Sequence, residues 1–482
     1  MNDSKRFRLL TLGLLLTGIL SAQFQMGMRS DGYAGVSGLP LQPTSSVLNP
    51  FAWDVQLGGA GVFLQNNYGF LQNTGALPLL RSGNPTFARF NEPDVAPSST
   101  LIRYNFVNGP RDRFFATSAY VSGPAATVKL GERHAVGFAT GVRMLTSLFN
   151  LPDEFSYDYY EDRELDDAFA VGPFRGAAAL YGEWSVNYAL RIPVASGNLA
   201  FGTTLKYLVG YEGLFAANRT DLSYRKIAND RIEASRVDGA FGFTNNNLHS
   251  EGYQRQRNGG GFAADLGVTY THDGDYERPY LFRLDASLLD VGALRFRRNA
   301  EYHELITDAP TEVSTDVFEV VQGIDSYRAG LENLSETVLD DPTASRTGSA
   351  FTLQAPTRFY LAGDLALTKN WYLHAAFLQA ISLGERSLRR GAWMGVTPRF
   401  QHRWMTVALP VGIYQYYHLN VGASVRAGFL TVGTDNLASI FGQRRLYGSD
   451  FYLAVRIHPF ALGGGGKRGY GRRGRGVKCY RF

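Results

Sequence analysis

Nine charged side chains occupy positions where an alternating strand pattern would turn them toward one shared face. They comprise carboxylates, guanidiniums and one ammonium, which are groups that can bind ions, transfer protons or pair with one another. Neither sign dominates, so the set does not predict selectivity for anions or for cations. Structural pairing across a closed interior is the favoured interpretation, and the lining of a channel is the alternative. The nine residues are Glu183, Arg191, Lys206, Asp265, Arg283, Asp285, Asp364, Arg426 and Arg456.

No arrangement in the sequence predicts catalysis. The eight histidines are scattered, and none has a His-x-x-x-His spacing with a nearby carboxylate, as a zinc site would. His374 and His458 fall on the same inward register as the charged set, where an ordinary polar wall residue is the simpler interpretation. We therefore expect a protein that is not an enzyme, with no metal and no cofactor.

An acidic run interleaved with tyrosines lies between residues 153 and 167. Clustered carboxylates can hold a hard divalent cation, but the spacing differs from that of an EF-hand. A solvated outer loop is the favoured interpretation.

The basic character of the chain comes from its two ends. The formal net charge is +5, yet the positive charge concentrates in the first 22 residues and in the glycine- and arginine-rich tail, residues 463–482. The body between them is net acidic, so the sequence does not predict nucleic-acid binding. Charge alone suggests that the tail contacts anionic lipid or peptidoglycan-associated partners.

The N-terminus predicts export. Lys5, Arg6 and Arg8 precede the apolar run Leu9–Leu20, and the small residues that follow offer a cleavage site after Ala22. A charged start, a short apolar run and small residues are typical of a secretory signal. The run is about half of the roughly 20 residues that a membrane-spanning helix needs. The single cysteine, Cys479, excludes an intrachain disulfide.

Period-two alternation dominates the rest of the chain. Segment 179–191, for example, places Trp184 and Tyr188 on one face and Glu183 and Asn187 on the other. A soluble sandwich also alternates, but charges in mid-strand and short turns that alternate with long loops favour a transmembrane β-barrel. Thirteen strands are predicted, near 53–64, 113–130, 135–147, 175–191, 197–213, 258–272, 279–296, 351–367, 371–382, 391–400, 404–413, 418–433 and 449–460.

An even strand number returns both chain ends to the periplasmic side, so we predict fourteen strands, within a range of twelve to sixteen. Val477–Phe482 is the best candidate for the missing strand, and Leu101–Val107 is the second. The predicted organisation is a signal peptide (1–22), a periplasmic plug-like segment (23–52), an antiparallel all-β barrel (53–462) and the basic tail (463–482). A disordered leader is the alternative for residues 23–52.

Three stretches resemble an uncharacterised family of Bacteroidota outer-membrane barrels, itself distantly similar to the FadL-like transporters of hydrophobic compounds. They are Asn49–Leu57 with the preceding Gln42-Pro43, Ser287–Phe296, and Gly428–Leu437. Gln42 departs from the Asn that more often precedes this proline. The resemblance implies a barrel in the outer membrane and supplies no catalytic residues.

Two functions follow as expectations. The first is a channel or transporter for small compounds, hydrophobic ones if the resemblance holds. The second is a non-transporting scaffold or accessory barrel of a secretion or surface-assembly complex. The expected partners are outer-membrane lipid, a small hydrophobic ligand, and periplasmic or secretion-complex proteins.

Overall fold

The computed structural model describes nine stretches of the chain. Most of the acidic run (153–163 and 167) and all of the tail lie outside the described residues, as does Val477–Phe482. The described stretches are 24–82, 85–89, 101–107, 112–152, 164–166, 168–248, 253–276, 278–314 and 324–459.

Fourteen antiparallel strands form one closed barrel, which confirms the predicted number. Each strand pairs with the next along the chain, and the first strand also pairs with the last, so the ring has no free edge. Closure satisfies every strand edge by backbone hydrogen bonding, as a barrel in lipid requires. The strands are β1 (Trp53–Asn66), β2 (Phe114–Leu130), β3 (His134–Phe149), β4 (Phe174–Val194), β5 (Gly197–Asn218), β6 (Gly259–Asp273), β7 (Tyr280–Phe296), β8 (Phe351–Gln354 and Arg358–Ala366), β9 (Trp371–Ala380), β10 (Trp393–Gln401), β11 (Met405–Ala408 and Val411–Tyr414), β12 (His418–Val421 and Ala423–Ala427), β13 (Leu430–Thr434) and β14 (Gly448–Ile457).

The fourteenth strand is β13, which neither sequence candidate identified. The segment predicted as one strand, 418–433, is a hairpin that turns at Gly428, where φ is +55°. Leu101–Phe106 is a strand, but it belongs to a separate small sheet outside the ring. Because β14 pairs directly with β1, the ring closes without a contribution from residues 477–482.

The two ends of the barrel differ in the length of their connections. At the turn end, the links are short: 131–133, 195–196, 274–279, 367–370, 402–404 and 428–429. At the opposite end, the loop end, the links are mostly long and carry further structure. This alternation matches the sequence prediction and is typical of outer-membrane barrels.

Additional short strands lie at the loop end. Asp238–Thr244 extends the wall beside β5 and pairs with Ala300–Ile306, which pairs with Arg346–Gly348. Two four-stranded sheets stand apart from the ring: Ala168–Val171, Leu222–Ala228, Arg231–Ala234 and Thr311–Ser314; and Gly69–Thr74, Thr86–Arg89, Leu101–Phe106 and Gln443–Leu446.

The helices of the described residues span four to six residues each, apart from one of sixteen. They are α1 (Met26–Arg29), a 3₁₀ turn (Gly35–Gly38), α2 (Ser45–Leu48), α3 (Ala76–Arg81), α4 (Ile324–Leu339) and α5 (Leu437–Phe441). Within the described ranges, no helix combines the length and apolar character that a membrane crossing demands.

The outer face of the barrel exposes a band of large apolar side chains. Trp184, Phe262 and Leu419 are 55%, 72% and 67% exposed, and similar side chains recur on every neighbouring strand. Each lies on the register opposite to the buried polar residues, as alternation requires. A continuous apolar belt of this kind is unfavourable in water and suits contact with lipid.

Candidate functional site

Residues 24–49 lie inside the barrel. Nearly all of them are buried, and their polar contacts reach strands on all sides of the ring. A segment that contacts inward-facing residues of opposite walls must occupy the lumen between them. The contacts are Ser46 Oγ to Asn187 Oδ1 of β4 (2.6 Å), Thr44 Oγ1 to Thr269 Oγ1 of β6 (2.6 Å), Gly32 N to Gln401 Oε1 of β10 (2.9 Å) and Arg426 Nε of β12 to Asp31 Oδ2 (2.7 Å).

Small inward-facing residues make room for this segment. A Cβ added to Gly202 would lie 2.5 Å from the carbonyl carbon of Pro43, and one added to Gly267 would lie 2.8 Å from the Pro43 ring. Farther along, Val47 packs against the alanines Ala189 and Ala200. The wall and the segment are thus complementary in shape, because larger wall residues here would displace the segment.

A loop also folds into the lumen from the opposite end. Residues 381–392 connect β9 and β10, and Leu388 in this loop is fully buried. Its backbone binds the wall, since Gln354 N–H donates to Arg386 O (3.0 Å) and Leu388 N–H donates to Gln354 O (3.0 Å). The Arg386 guanidinium lies 4.6 Å from the ring centre of Tyr302. We call this segment the inward loop.

Between the two inserts lies a buried ion cluster centred on Asp290. Its carboxylate contacts Lys206 Nζ at 2.5 Å, Arg358 Nη2 at 3.2 Å and Arg143 Nη1 at 3.6 Å. Arg143 lies on β3 and Asp290 on β7, so this contact crosses the lumen instead of joining neighbouring strands. Arg143 also contacts Glu183 at 3.0 Å, and Lys206 contacts Asp265 at 2.7 Å.

A backbone irregularity aims Asp290 at its partners. Pairing between β6 and β7 shifts register between Ala264 and Leu266, and Asp290 has a φ of +54°. Such a φ is uncommon outside glycine, although Asp and Asn tolerate it best. The Asp290 N–H donates to Asp265 Oδ1 at 2.7 Å, which holds the bulge in place. Strained backbone of this kind often marks a functional position.

Two further ion clusters lie in the lumen. In one, the Asp364 carboxylate contacts Arg399, Arg283 (3.4 Å) and His374 (3.6 Å). The Asp285 carboxylate lies 3.5 Å from Arg283. The Gln42 side chain, where the family resemblance would favour Asn, donates to Asp285.

The third cluster lies toward the turn end. There Arg426 forms an ion pair with Asp31, and Arg456 forms one with Asp54 at 3.2 Å. Arg456 also donates hydrogen bonds to the carbonyl oxygens of Tyr33 and Ala34. Both arginines of the wall therefore bind the N-terminal segment.

The structure places eight of the nine predicted lumen residues in these three clusters, and all eight are buried. Arg191 is half-buried near the turn end and belongs to none of them. Of the two histidines, His374 is buried beside Asp364, whereas His458 stacks on Phe51 with ring centres 4.2 Å apart.

Sequence reasoning missed several members of the clusters. Arg143 shares the inward register of β3 and could have been found by the same alternation. Asp290 could not, because the bulge shifts it off the register that its neighbours predict. The missed charged residues are Asp31, Asp54, Arg143, Asp290, Arg358 and Arg399, and two further buried arginines, Arg29 and Arg390, were also not predicted.

The lumen near the loop end is lined by aromatic side chains. The Tyr414 ring lies 5.0 Å from Phe63 and 5.6 Å from Phe114, measured between ring centres. Phe24, at the start of the described chain, lies 6.0 Å from the same ring. Phe149 and Trp393 belong to the same buried group. We call this set the aromatic chamber.

Little free space remains beside the ion cluster. A cavity of about 40 Å³ lies between the N-terminal segment and the wall, and its lining includes Arg29, Arg143 and Lys206 together with the carboxylates Glu183 and Asp265. No group of three metal-ligating side chains occurs in the parts of the chain that the structure describes.

Comparison with known proteins gives one family and several structures. The model of DUF5723, a family of unknown function, matches residues 46–435. No curated protein matches the chain. Among solved structures, a deltaS2S3 mutant of the monoaromatic hydrocarbon channel TodX of Pseudomonas putida is 10% identical, with 91% of this chain and 98% of that chain covered and a TM-score of 0.41.

Two other similar structures are a toluene transporter and a FadL homologue. The toluene transporter TbuX of Ralstonia pickettii is 9% identical, with 90% and 97% of the two chains covered and a TM-score of 0.39. A FadL homologue of Pseudomonas aeruginosa is 11% identical, with 91% and 98% covered and a TM-score of 0.25.

Proposed function

The chain belongs to DUF5723, a family of unknown function, and we propose that it is an outer-membrane channel for small hydrophobic compounds, gated by its own N-terminal segment. The apolar belt, the closed ring and the short turns at one end support a location in the outer membrane. On this reading the turn end faces the periplasm and the loop end faces outward.

The aromatic chamber is the observation that carries the proposal. Barrel interiors in outer membranes are ordinarily polar. Here, by contrast, Phe63, Phe114, Phe149, Trp393 and Tyr414 converge inside the wall at the loop end. Apolar compounds of small size would find aromatic contacts there that water cannot replace.

Phe24 connects the chamber to the gate. Its ring packs among the chamber residues, 6.4 Å from Phe63 and 6.0 Å from Tyr414. A ligand that enters the chamber competes with Phe24 for these contacts. It thereby favours conformations in which the N-terminal segment is less firmly seated, which is a shift of population driven by differential binding.

The proposed gate is the N-terminal segment, residues 24–49. It is bound by contacts that can be broken without unfolding the strands of the barrel. Hydrogen bonds and ion pairs join the segment to β4, β6, β10, β12 and β14, while the wall itself closes through its own backbone pairing. Displacement of the segment would therefore clear the part of the lumen that it occupies and leave the ring intact.

A reversible crosslink tests this mechanism. Thr44 of the segment and Thr269 of β6 have their Oγ1 atoms 2.6 Å apart, so cysteines at both positions can form a disulfide. In a Cys479→Ser background, oxidised Thr44→Cys/Thr269→Cys should reduce uptake of radiolabelled toluene by cells to the level of cells without the protein. Reductant should restore uptake.

The matched control is Thr117→Cys/Thr146→Cys. These residues are paired on β2 and β3 and lie on the outward register, so their disulfide should leave uptake unchanged. Uptake that persists in the oxidised Thr44→Cys/Thr269→Cys protein would contradict gating by the segment.

A scaffold is the second function, and the two small sheets at the loop end favour it because they offer surface beyond the membrane. If the wild-type protein gives no more toluene uptake than its absence, and is always purified with stoichiometric partner proteins, the scaffold replaces the channel.

A further inference from the structure

A group of exposed arginines lies on the outside of the barrel, at the loop end of β6 and β7. We call this group the arginine patch. The two stretches of chain that carry it are adjacent, because the N–H groups of Arg297 and Arg298 both donate to the Asn258 carbonyl oxygen, at 3.0 and 3.1 Å. The patch consists of Arg255 and Arg257, which precede β6, and of Arg295, Arg297 and Arg298, at the end of β7 and just beyond it.

The arginine patch has no carboxylate to offset its charge. Within the residues that the structure describes, none of its five side chains forms an ion pair. Glu212 on the neighbouring strand β5 instead accepts hydrogen bonds from Thr244 and Asn247. Adjacent like charges repel one another and attract anions from the surroundings.

Other exposed arginines at the loop end differ in this respect. Each of three arginines in or beside the small sheet contacts a carboxylate: Arg225 contacts Glu233 at 2.7 Å, Arg231 contacts Glu312 at 3.4 Å, and Arg236 contacts Asp238 at 4.0 Å. The absence of ionic partners is therefore a property of the patch and not of the loop end as a whole.

The wall under the patch is shaped to carry an arginine side chain. Gly260 faces outward on β6 and is paired with Arg295 of β7. A Cβ added to Gly260 would lie 3.2 Å from Arg257 Nη2, so the Arg257 side chain passes directly over this glycine. Its guanidinium reaches Tyr207, where it donates to the hydroxyl group and lies 5.6 Å from the ring centre. Arg257 and Arg295 therefore border the same small area of the wall.

The apolar belt begins directly below the patch. The Tyr207 ring lies 5.4 Å from the ring of Phe262, measured between centres, and Phe262 is 72% exposed. Leu205 and Leu266 continue the exposed apolar surface on the same strands toward the turn end. Aromatic side chains at the edge of such a belt lie where hydrocarbon gives way to polar head groups. A membrane around the belt would thus place its phosphate groups at the level of the arginines.

We propose that the arginine patch binds the phosphate groups of an outer-leaflet lipid of the lipid A type, a phosphorylated sugar head with several acyl chains. Guanidinium groups bind phosphate through paired hydrogen bonds, and clustered basic residues at a membrane surface attract anionic lipid. The acyl chains pack against Phe262 and the belt below it. This continuity of charged and apolar surface favours a lipid, because a soluble anion would gain nothing from the belt. The inference rests on the proposed membrane location, with the loop end outward, and does not depend on what the barrel carries.

Titration of the purified full-length protein in detergent with fluorescent lipid A tests the proposal. Diphosphorylated lipid A should bind more tightly than the same lipid without phosphate, and millimolar inorganic phosphate should not displace it. The variant Arg257→Gln/Arg295→Gln/Arg297→Gln should weaken binding about 100-fold, which is roughly fivefold for each arginine.

The matched control is Arg225→Gln/Arg231→Gln/Arg236→Gln. It removes the same charge from exposed arginines outside the patch and should leave the affinity for lipid A unchanged. Should the patch variant not fold, Arg295→Gln alone takes its place, with an expected loss of about fivefold.

Three results would overturn the proposal: equal weakening by the two triple variants, equal binding of the phosphate-free lipid, or displacement by inorganic phosphate. A protein that inserts into lipid vesicles and gives any of these results would leave the proposed membrane location standing. A protein that stays in solution without detergent and binds no lipid would overturn that location as well.

Discussion

Removal of the Asp290 charge is the sharpest test of how the lumen is held together. Asp290 is buried and contacts Lys206, Arg358 and Arg143. Asparagine has nearly the same shape and also tolerates the positive φ of +54°. Asp290→Asn therefore removes charge without adding backbone strain.

The expected loss is large, because buried cations are left without their shared carboxylate. Breaking a buried ion pair by removing one partner costs about 3–5 kcal/mol. Lys206, Arg358 and Arg143 all contact this one carboxylate, so Asp290→Asn should fall within this range. Asp290→Ala should cost more by about 1–2 kcal/mol, since alanine is strained in the left-handed region.

Urea unfolding in lipid vesicles, followed by tryptophan fluorescence, gives the free energy of unfolding. Asp273→Asn is the matched control, because Asp273 is exposed at the turn end and should change stability by less than about 0.5 kcal/mol. The double variant Asp290→Asn/Arg358→Leu should lose less than the sum of the two single variants, since it removes a charge of each sign. A loss below about 1 kcal/mol for Asp290→Asn would refute the assignment of Asp290 as the centre of the cluster.

Two further predictions concern the N-terminal segment. Gly202→Val should displace Pro43, whose carbonyl carbon would lie 2.5 Å from the new Cβ, and should raise single-channel conductance in planar bilayers. Gly363→Val, whose Cβ would have 3.7 Å of clearance, should stay closed, and equal conductance would contradict the steric argument. Asp435 accepts the Met26 N–H at 2.9 Å, and desolvation, followed by the Asp450 carboxylate, raises its pKa from 3.8 to about 7. The folded state therefore binds the Asp435 proton more tightly than the unfolded chain does. The contribution of this proton to the free energy of unfolding is complete below about pH 4 and is lost as the pH rises through about 7. Asp435→Asn should flatten that part of the stability profile measured by urea unfolding, and an unchanged slope would count against this residue as its source.

The alternation of side chains predicted most of the barrel because it is a local property. Residues such as Trp184 and Glu183 face opposite sides of a strand whatever the rest of the chain does. The hairpin at Gly428 shows where this reasoning failed. Before the turn, the outward-facing side chains are at odd positions such as Val421 and Val425. After the turn, they are at even positions, beginning with Leu430. That reversal was visible in the sequence, but the segment was interpreted as one uninterrupted strand.

The sequence alone determined the all-β class, the number of strands although not the position of the fourteenth, and the inward register of Glu183, Lys206 and Asp265. All of these follow from local periodicity and an even strand count. Only the tertiary structure decided what those residues meet. Asp290 points into the lumen because of a bulge that interrupts the period-two alternation of β7. Arg29 and Arg390 lie on the N-terminal segment and the inward loop, which do not alternate. Contacts such as Arg426 with Asp31 join residues 395 positions apart. No local pattern specifies such partners, because they are set by closure of the ring and by the space left inside it.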